Sequence, residues 1–224
     1  MSGFAKAVGA SLRTYYAPGR AALLDGFYAR FLAPGDLAFD VGTHVGDRSA
    51  SFRRLGARVV AVEPQPRLAR ALRLLFRGDP GVTLVQALLG ATEGEATLRL
   101  NTANPTVATA STAFIAAADG AAGWEGQRWD GEIARPVTTL DALAMRHGLP
   151  AFVKIDVEGA EAEVLRGARQ TLQARHPLLY LDTHQREAHE QTVAILTSLG
   201  YTITCLDGKP LAESKELIAR YEPA

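Results

Sequence analysis

Several apolar runs of this chain end in an acidic residue. Leu37-Ala38-Phe39 enters Asp40, Val59-Val60-Ala61-Val62 enters Glu63, and Phe152-Val153-Lys154-Ile155 enters Asp156, with Glu158 close behind. Leu178-Leu179-Tyr180-Leu181 enters Asp182, followed by Thr183 and His184. Burying such runs as strands brings their carboxylates to one mouth, and each must stay solvated or find a partner. His184 adds an imidazole, which titrates near neutrality and is the natural general base for a hydroxyl. Asp156 and Glu158 would orient an acceptor, or join Asp182 around a divalent cation that prefers oxygen. The spacing matches no dedicated metal motif, and no metal is expected.

The segment Asp40-Val41-Gly42-Thr43-His44-Val45-Gly46 supplies a turn at the first of these ends. Glycines there allow a tight strand-to-helix turn or close approach to a ligand. Glu63 stands roughly 20 residues further on, a distance that fits one βαβ unit with an acid placed to receive ribose hydroxyls. A nucleoside-containing cofactor therefore belongs to the first half of the fold. A dinucleotide loop would read Gly-x-Gly-x-x-Gly and hold a pyrophosphate on helix-terminal N–H groups. Here an acid leads the loop, which would repel a pyrophosphate and suits an ammonium or sulfonium. The expected cofactor is accordingly S-adenosylmethionine. Two rival readings are a nicotinamide-dependent Rossmann oxidoreductase, which lacks a Tyr-x-x-x-Lys pair or a third glycine, and a non-catalytic nucleoside-binding module.

These groups need a scaffold, and the sequence describes one. Leu23, Leu24, Phe27, Tyr28 and Phe31 recur at three- and four-residue intervals, so residues 1–34 form a helical cap ended by Pro34-Gly35. Helices are expected over 48–55, closed by Gly56, and over 67–76 with Leu68, Leu72 and Leu75 on one face, then a strand over 82–87. Residues 94–138 break this rhythm: 96–100 and 133–138 read as antiparallel strands around a Thr/Ala/Gly-rich stretch with Trp124 and Trp129. So long an excursion is usually functional, and an insertion near the substrate pocket is expected. A helix over 140–147, a strand over 151–157, one continuous helix over 160–174, a strand over 178–182, a helix over 187–199 and strands over 201–206 and 216–221 complete the pattern. Strands alternating with helices specify an α/β, doubly wound parallel sheet with helices on both faces. Lys154, inside an apolar strand, reads as the partner of a carboxylate. His147, His176 and His189 read as surface or helix-end residues.

At 224 residues the chain suits a single domain over 1–224. Its charges balance to zero, with 24 basic and 24 acidic residues, so nothing points to nucleic acid or an anionic membrane as a partner. Cys205 is the single cysteine and lies among strand-forming residues, which reads as a buried inert thiol in a reducing compartment. Neither a membrane-spanning run nor a signal-peptide core is visible, and a soluble cytoplasmic protein is expected. Oligomeric state and the identity of the acceptor are not legible.

A set of motifs extends this reading. Asp40 to Gly46 with Ser49, Val62-Glu63-Pro64-Gln65-Pro66, Ala87-Leu88-Leu89-Gly90, Thr139-Leu140-Asp141 and Lys154-Ile155-Asp156-Val157-Glu158-Gly159-Ala160-Glu161 with Val164-Leu165 and Gly167-Ala168 occur in that order. From about Asp36 to Tyr201 the chain resembles the FkbM family of S-adenosylmethionine-dependent methyltransferases. That resemblance implies a class I methyltransferase sheet, with six parallel strands and an antiparallel seventh. It also implies O-methyl transfer to a hydroxyl of a small molecule, sugar or natural product. Asp40, Gly42 and Gly46, with Thr43, His44 and Ser49, would form the loop beneath the methionine portion. Glu63 would take both ribose hydroxyls, and Gln86, Ala87 and Leu88 would border the adenine. Asp156 would belong to the cofactor edge as well as to the catalytic group with Glu158 and His184. The chain departs from the family pattern at His44, where Asn is frequent, at Phe76-Arg77, where an Asn commonly closes the helix, and at Asp182-Thr183-His184, where many members read Glu-x-His.

Overall fold

The computed structural model describes residues 3–222. Residues 1–2 and 223–224 of the expected single-domain span lie outside the described residues. In chain order come helices α1 (Gly3–Tyr15) and α2 (Arg20–Tyr28), strand β1 (Leu37–Val41), α3 (Asp47–Arg54), β2 (Arg58–Val62), α4 (Pro66–Leu75) and β3 (Val82–Val85). The excursion contains β4 (Leu88–Leu89), β5 (Gly94–Leu100), a 3-10 turn at Pro105–Val107, α5 (Thr112–Ala118) and β6 (Gly131–Thr138). The alternation then resumes with α6 (Leu140–His147), β7 (Phe152–Ile155), α7 (Glu161–Arg166), α8 (Arg169–Arg175), β8 (Leu178–Asp182), α9 (Arg186–Ser198), β9 (Tyr201–Cys205) and β10 (Glu216–Tyr221).

The main sheet has seven strands in the order β3-β2-β1-β7-β8-β10-β9. Pairing is parallel from β3 through β8, and β10 runs antiparallel to both β8 and β9. Six strands thus share one direction and β10 opposes them, the arrangement that the family resemblance implies. Strand order reverses between β1 and β7, and a crevice outside the carboxyl ends at such a point is where open α/β sheets take ligands.

Alternation along the strands sends successive side chains to opposite faces, and both faces are covered. On one, Phe39, Val60, Val153 and Leu179 pack beneath Leu143 of α6, Val164 and Leu165 of α7, Leu172 of α8 and Leu196 of α9. On the other, Ala38, Ala61, Phe152 and Tyr180 lie under Tyr28 of α2 and Phe52 of α3. The Tyr28 and Phe52 rings meet edge-to-face at 4.8 Å, and Phe52 meets Phe152 at 5.5 Å. Losing a buried ring costs about 3–5 kcal/mol, so this aromatic group ties α2 and α3 to the sheet.

Several expectations need correction. The N-terminal helical run is two helices broken near Gly19, and Leu23, placed by spacing on its apolar face, is 76% exposed. Leu24, Phe27 and Tyr28 already fill the space above the sheet. Leu75 is likewise exposed, because Leu68, Ala69 and Leu72 form the buried stripe of α4. The helix expected over 160–174 divides into α7 and α8 at Gly167. The Gly167 carbonyl accepts the Asp141 N–H at 2.9 Å, and a Cβ there would lie 2.1 Å from the Gly90 carbonyl oxygen. The approach of α6 and the loop after β4 therefore interrupts the helix. Strand β3 ends at Val85, and the chain re-pairs as β4 in a second sheet of order β4-β6-β5. Within that sheet, β5 and β6 are antiparallel, as expected. Cys205 is half-buried and unpaired rather than fully enclosed. No helix among the described residues is long and apolar enough to cross a membrane.

Candidate active site

Glu63 stands at the tip of β2 and is 3% exposed. Its two carboxylate oxygens accept backbone N–H groups from His44 at 2.9 Å and from Gln65 at 2.8 Å. The first bond depends on His44 adopting a left-handed backbone conformation (φ 53°), which turns its N–H toward the acid. Asn tolerates that region better than most residues. Burial, working against those two bonds, pushes the Glu63 carboxyl up to about 7. The His44 ring is pushed down to about 4, mainly by burial, and packs edge-to-face on Tyr15 at 5.0 Å. It is neutral at physiological pH.

At the next junction, register decides the chemistry. Asp40 of β1 and Lys154 of β7 are Cα partners on the same face of the sheet. Lys154 Nζ lies 3.4 Å from Asp40 Oδ1 and 3.4 Å from Asp156 Oδ2, and it donates to the Gly42 carbonyl at 2.7 Å. Ser49 Oγ donates to Asp40 Oδ2 at 2.5 Å. The Asp40 carboxylate, expected to meet a cationic ligand directly, is enclosed and engaged by these groups. Gly42 (φ 80°) has a further reason to be glycine: a Cβ there would sit 1.8 Å from the Asp156 carbonyl oxygen. Its role is to let the loop after β1 lie against the loop after β7.

Beyond β7 and β8 the charges crowd together. His184 Nε2 is 3.0 Å from Asp156 Oδ1 and 3.8 Å from Asp182 Oδ1, and His184 Nδ1 is 3.8 Å from Glu158 Oε2. Burial opposes ionisation of Asp156, yet Lys154 and His184 hold its carboxyl well below the usual range. Glu158 is pushed up to about 8, first by burial and then by Asp156 and its other acidic neighbours against the pull of His184. Burial alone would push His184 down; the bond to Asp156 and the charges of Glu158, Asp156 and Asp182 raise it to about 10 instead. An imidazole titrating near neutrality is therefore not what the site contains. His184 is an imidazolium held by carboxylates. Glu161 is fully buried at the start of α7, where burial raises its pKa, and it accepts the Gly159 N–H at 3.0 Å, a structural role.

Both groups face one cavity of about 190 Å³, lined by Gly42, Thr43, His44, Glu63, Ala87, Leu88, Asp156, Glu158, Asp182 and His184 among others. Four other expected cofactor residues do not line it. Asp40 and Ser49 bond each other, Gly46 sits against Leu72 and Phe76, and the Gln86 side chain accepts from Arg73. Sequence reasoning missed Tyr15, Arg48 and the Pro105–Ala110 stretch of the wall. Arg48 lay inside the quoted loop motif. Tyr15 and Pro105 to Ala110 carried no periodic or motif signal. The excursion closes over the cavity through named contacts: Gln65 Nε2 donates to the Pro105 carbonyl at 2.9 Å, and Thr109 Oγ1 donates to the Glu158 carbonyl at 2.7 Å. Phe114 meets His184 edge-to-face at 6.4 Å and carries Trp124 and Trp129 behind it. An open groove of about 540 Å³ adjoins the cavity and shares Leu88, Leu89, Ala110 and Ala160 with it. His189, expected at the surface or at a helix end, lies near the start of α9 and is buried, with Nδ1 2.9 Å from Thr183 Oγ1.

Comparison with known proteins bears on this geometry. The family described as the methyltransferase FkbM domain matches residues 40–203. Among solved structures, the chain is similar to the methyltransferase FkbM from Methylobacillus flagellatus KT, with a TM-score of 0.57 and 16% identity over 88% of this chain. The chain spans 50% of that protein's length. It is also similar to precorrin 8w decarboxylase from Methanobacterium thermoautotrophicum, with a TM-score of 0.50 and 14% identity over 91% of both chains. Fibrillarin from Aeropyrum pernix, solved with natively bound S-adenosyl-L-methionine, gives a TM-score of 0.49 and 16% identity over 89% of this chain and 71% of its own. No curated protein matches the sequence.

Proposed function

Because the chain belongs to the FkbM family of S-adenosylmethionine-dependent methyltransferases, we propose that it transfers a methyl group to a hydroxyl oxygen of a small molecule, sugar or natural product. One observation carries this reading: Glu63 and the Asp156–Glu158–His184 group line the same cavity. S-adenosylmethionine supplies the electrophilic methyl when bound. The residues present fit it. Among the described residues, Glu63 has no ion-pair partner and receives only backbone N–H donors, leaving lone pairs for the two ribose hydroxyls. Ala87 and Leu88 offer apolar contact for the adenine, while Gly42, Thr43 and His44 border the methionine portion.

At the acceptor end, Asp156 and the His184 imidazolium orient the hydroxyl, and Glu158 takes its proton. A base works best when its pKa lies near the operating pH, and among these groups Glu158 comes nearest, at about 8. Holding acceptor and cofactor in line supplies much of the acceleration. The 94–138 excursion shapes the acceptor pocket, and the adjoining groove is its approach. The supporting contacts are those of Pro105 and Thr109 with Gln65 and Glu158.

The test is incubation with methyl-labelled S-adenosylmethionine and a panel of hydroxyl, amine and carbon acceptors, with products read by mass spectrometry and NMR. O-methylated product formed by the parent and lost in Glu158→Gln is expected. Label found only on nitrogen or carbon contradicts the assignment to oxygen.

A further inference from the structure

We infer that Asp156, Glu158 and His184 form a binding site for a divalent metal cation. One ligating atom from each of the three lies within 4.8 Å of the others. Such a set closes around an ion after side-chain shifts of an ångström or two, given metal–oxygen and metal–nitrogen bonds of about 2.0–2.2 Å.

Proximity of acids alone would not carry this. The second observation is Glu158 itself, which is 8% exposed and whose Oε2 has no hydrogen-bond donor among the described residues, His184 Nδ1 standing 3.8 Å away. A buried carboxylate oxygen without a partner costs on the order of 1–3 kcal/mol or more, and a bound cation removes that cost. The backbone fixes where this oxygen points. Glu158 is in the left-handed region (φ 56°), and its carbonyl is anchored by the Thr109 hydroxyl at 2.7 Å. Charge balance points the same way. Asp156, Glu158 and Asp182 converge on the imidazole of His184, while Lys154 is shared between Asp156 and Asp40, and Arg48, which also acts on Asp156, is shared with Asp47.

The donor chemistry defines the class of ion. Two carboxylates suit hard cations such as Mg²⁺ and Mn²⁺, and an imidazole favours first-row transition metals. Mn²⁺ satisfies both. On the methyl-transfer reading proposed above, an ion here lies at the acceptor end of the cavity. There it would polarise the acceptor hydroxyl and lower the pKa of its proton.

The test is titration of the full, chelator-treated chain with Mn²⁺ alone, followed by calorimetry and by the EPR signal of free Mn²⁺. One site per chain is expected, weakened at least tenfold in Glu158→Gln and in His184→Gln, each checked for folding by circular dichroism. Two substitutions are used so that a folding failure in one leaves the other as the test. Binding no tighter in the parent than in both folded variants, or none at all, overturns the inference. A parallel titration with S-adenosylhomocysteine separates the two proposals: a chain that binds the nucleoside but not Mn²⁺ loses only the metal site, and the reverse loses only the proposed cofactor role.

Discussion

The two acidic ends of the cavity solve burial in opposite ways. At β2, Glu63 is alone and is held by neutral backbone donors. At β7 and β8, Asp156, Glu158 and Asp182 share the imidazole of His184, and Lys154 and Arg48 act on Asp156. An isolated carboxylate fed by N–H groups is a receptor for further neutral donors, such as hydroxyls. A crowd of carboxylates is a receptor for protons or cations. On the proposed function, the tip of β2 serves recognition, and the tips of β7 and β8 serve chemistry.

The sharpest way to break this contrast is to remove the cation that holds the crowded end together. Lys154→Met should cost about 3–5 kcal/mol in urea unfolding, since it strands Asp40 and Asp156 inside the fold; a loss below about 1 kcal/mol would show the two acids do not depend on it. At the other end, Glu63→Gln should weaken S-adenosylhomocysteine binding roughly tenfold to a hundredfold, the equivalent of about 1.5–3 kcal/mol for hydrogen bonds to a charged acceptor. Calorimetry reads this, and unchanged affinity would remove Glu63 from the nucleoside site.

The same acid predicts a pH dependence. Burial raises its pKa from 4.5 to about 7 in the ligand-free chain, so the Glu63 contribution to stability is full below 4.5 and is lost as pH rises through about 7. Nucleoside binding runs the other way, because hydroxyl donors require the ionised form. Affinity should be level above pH 7 and fall up to tenfold per unit below it, and Glu63→Gln should flatten the profile. His184→Ala should lower turnover more than cofactor affinity, which steady-state kinetics and titration together resolve. The smallest effect is expected away from both ends: Leu23→Ala, at an exposed position, should shift stability by no more than about 0.5 kcal/mol.

The sheet was legible because its signals are local. Apolar runs such as Val59 to Val62 and the glycines beside them report burial and turning within a few residues. The acids at the strand tips were legible for the same reason, and the alternation of helix and strand fixed their common side. What was not legible arises between elements. The pairing of Asp40 with Lys154 depends on β1–β7 register, more than a hundred residues apart in the chain. The break at Gly167 depends on the Gly90 carbonyl, and the protonation of His184 depends on three carboxylates gathered from two strand ends. Leu23 and Leu75 satisfied a helical period that says nothing about where the neighbouring surface stops. The cavity wall from Pro105 to Ala110 lies in a segment with no period at all.

A crystal structure of the chain with S-adenosylhomocysteine tests the central claim most directly. The predicted complex has both ribose hydroxyls on Glu63 and the sulfur turned toward Asp156 and His184. A nucleoside bound outside this cavity, or one whose ribose makes no contact with Glu63, would contradict it.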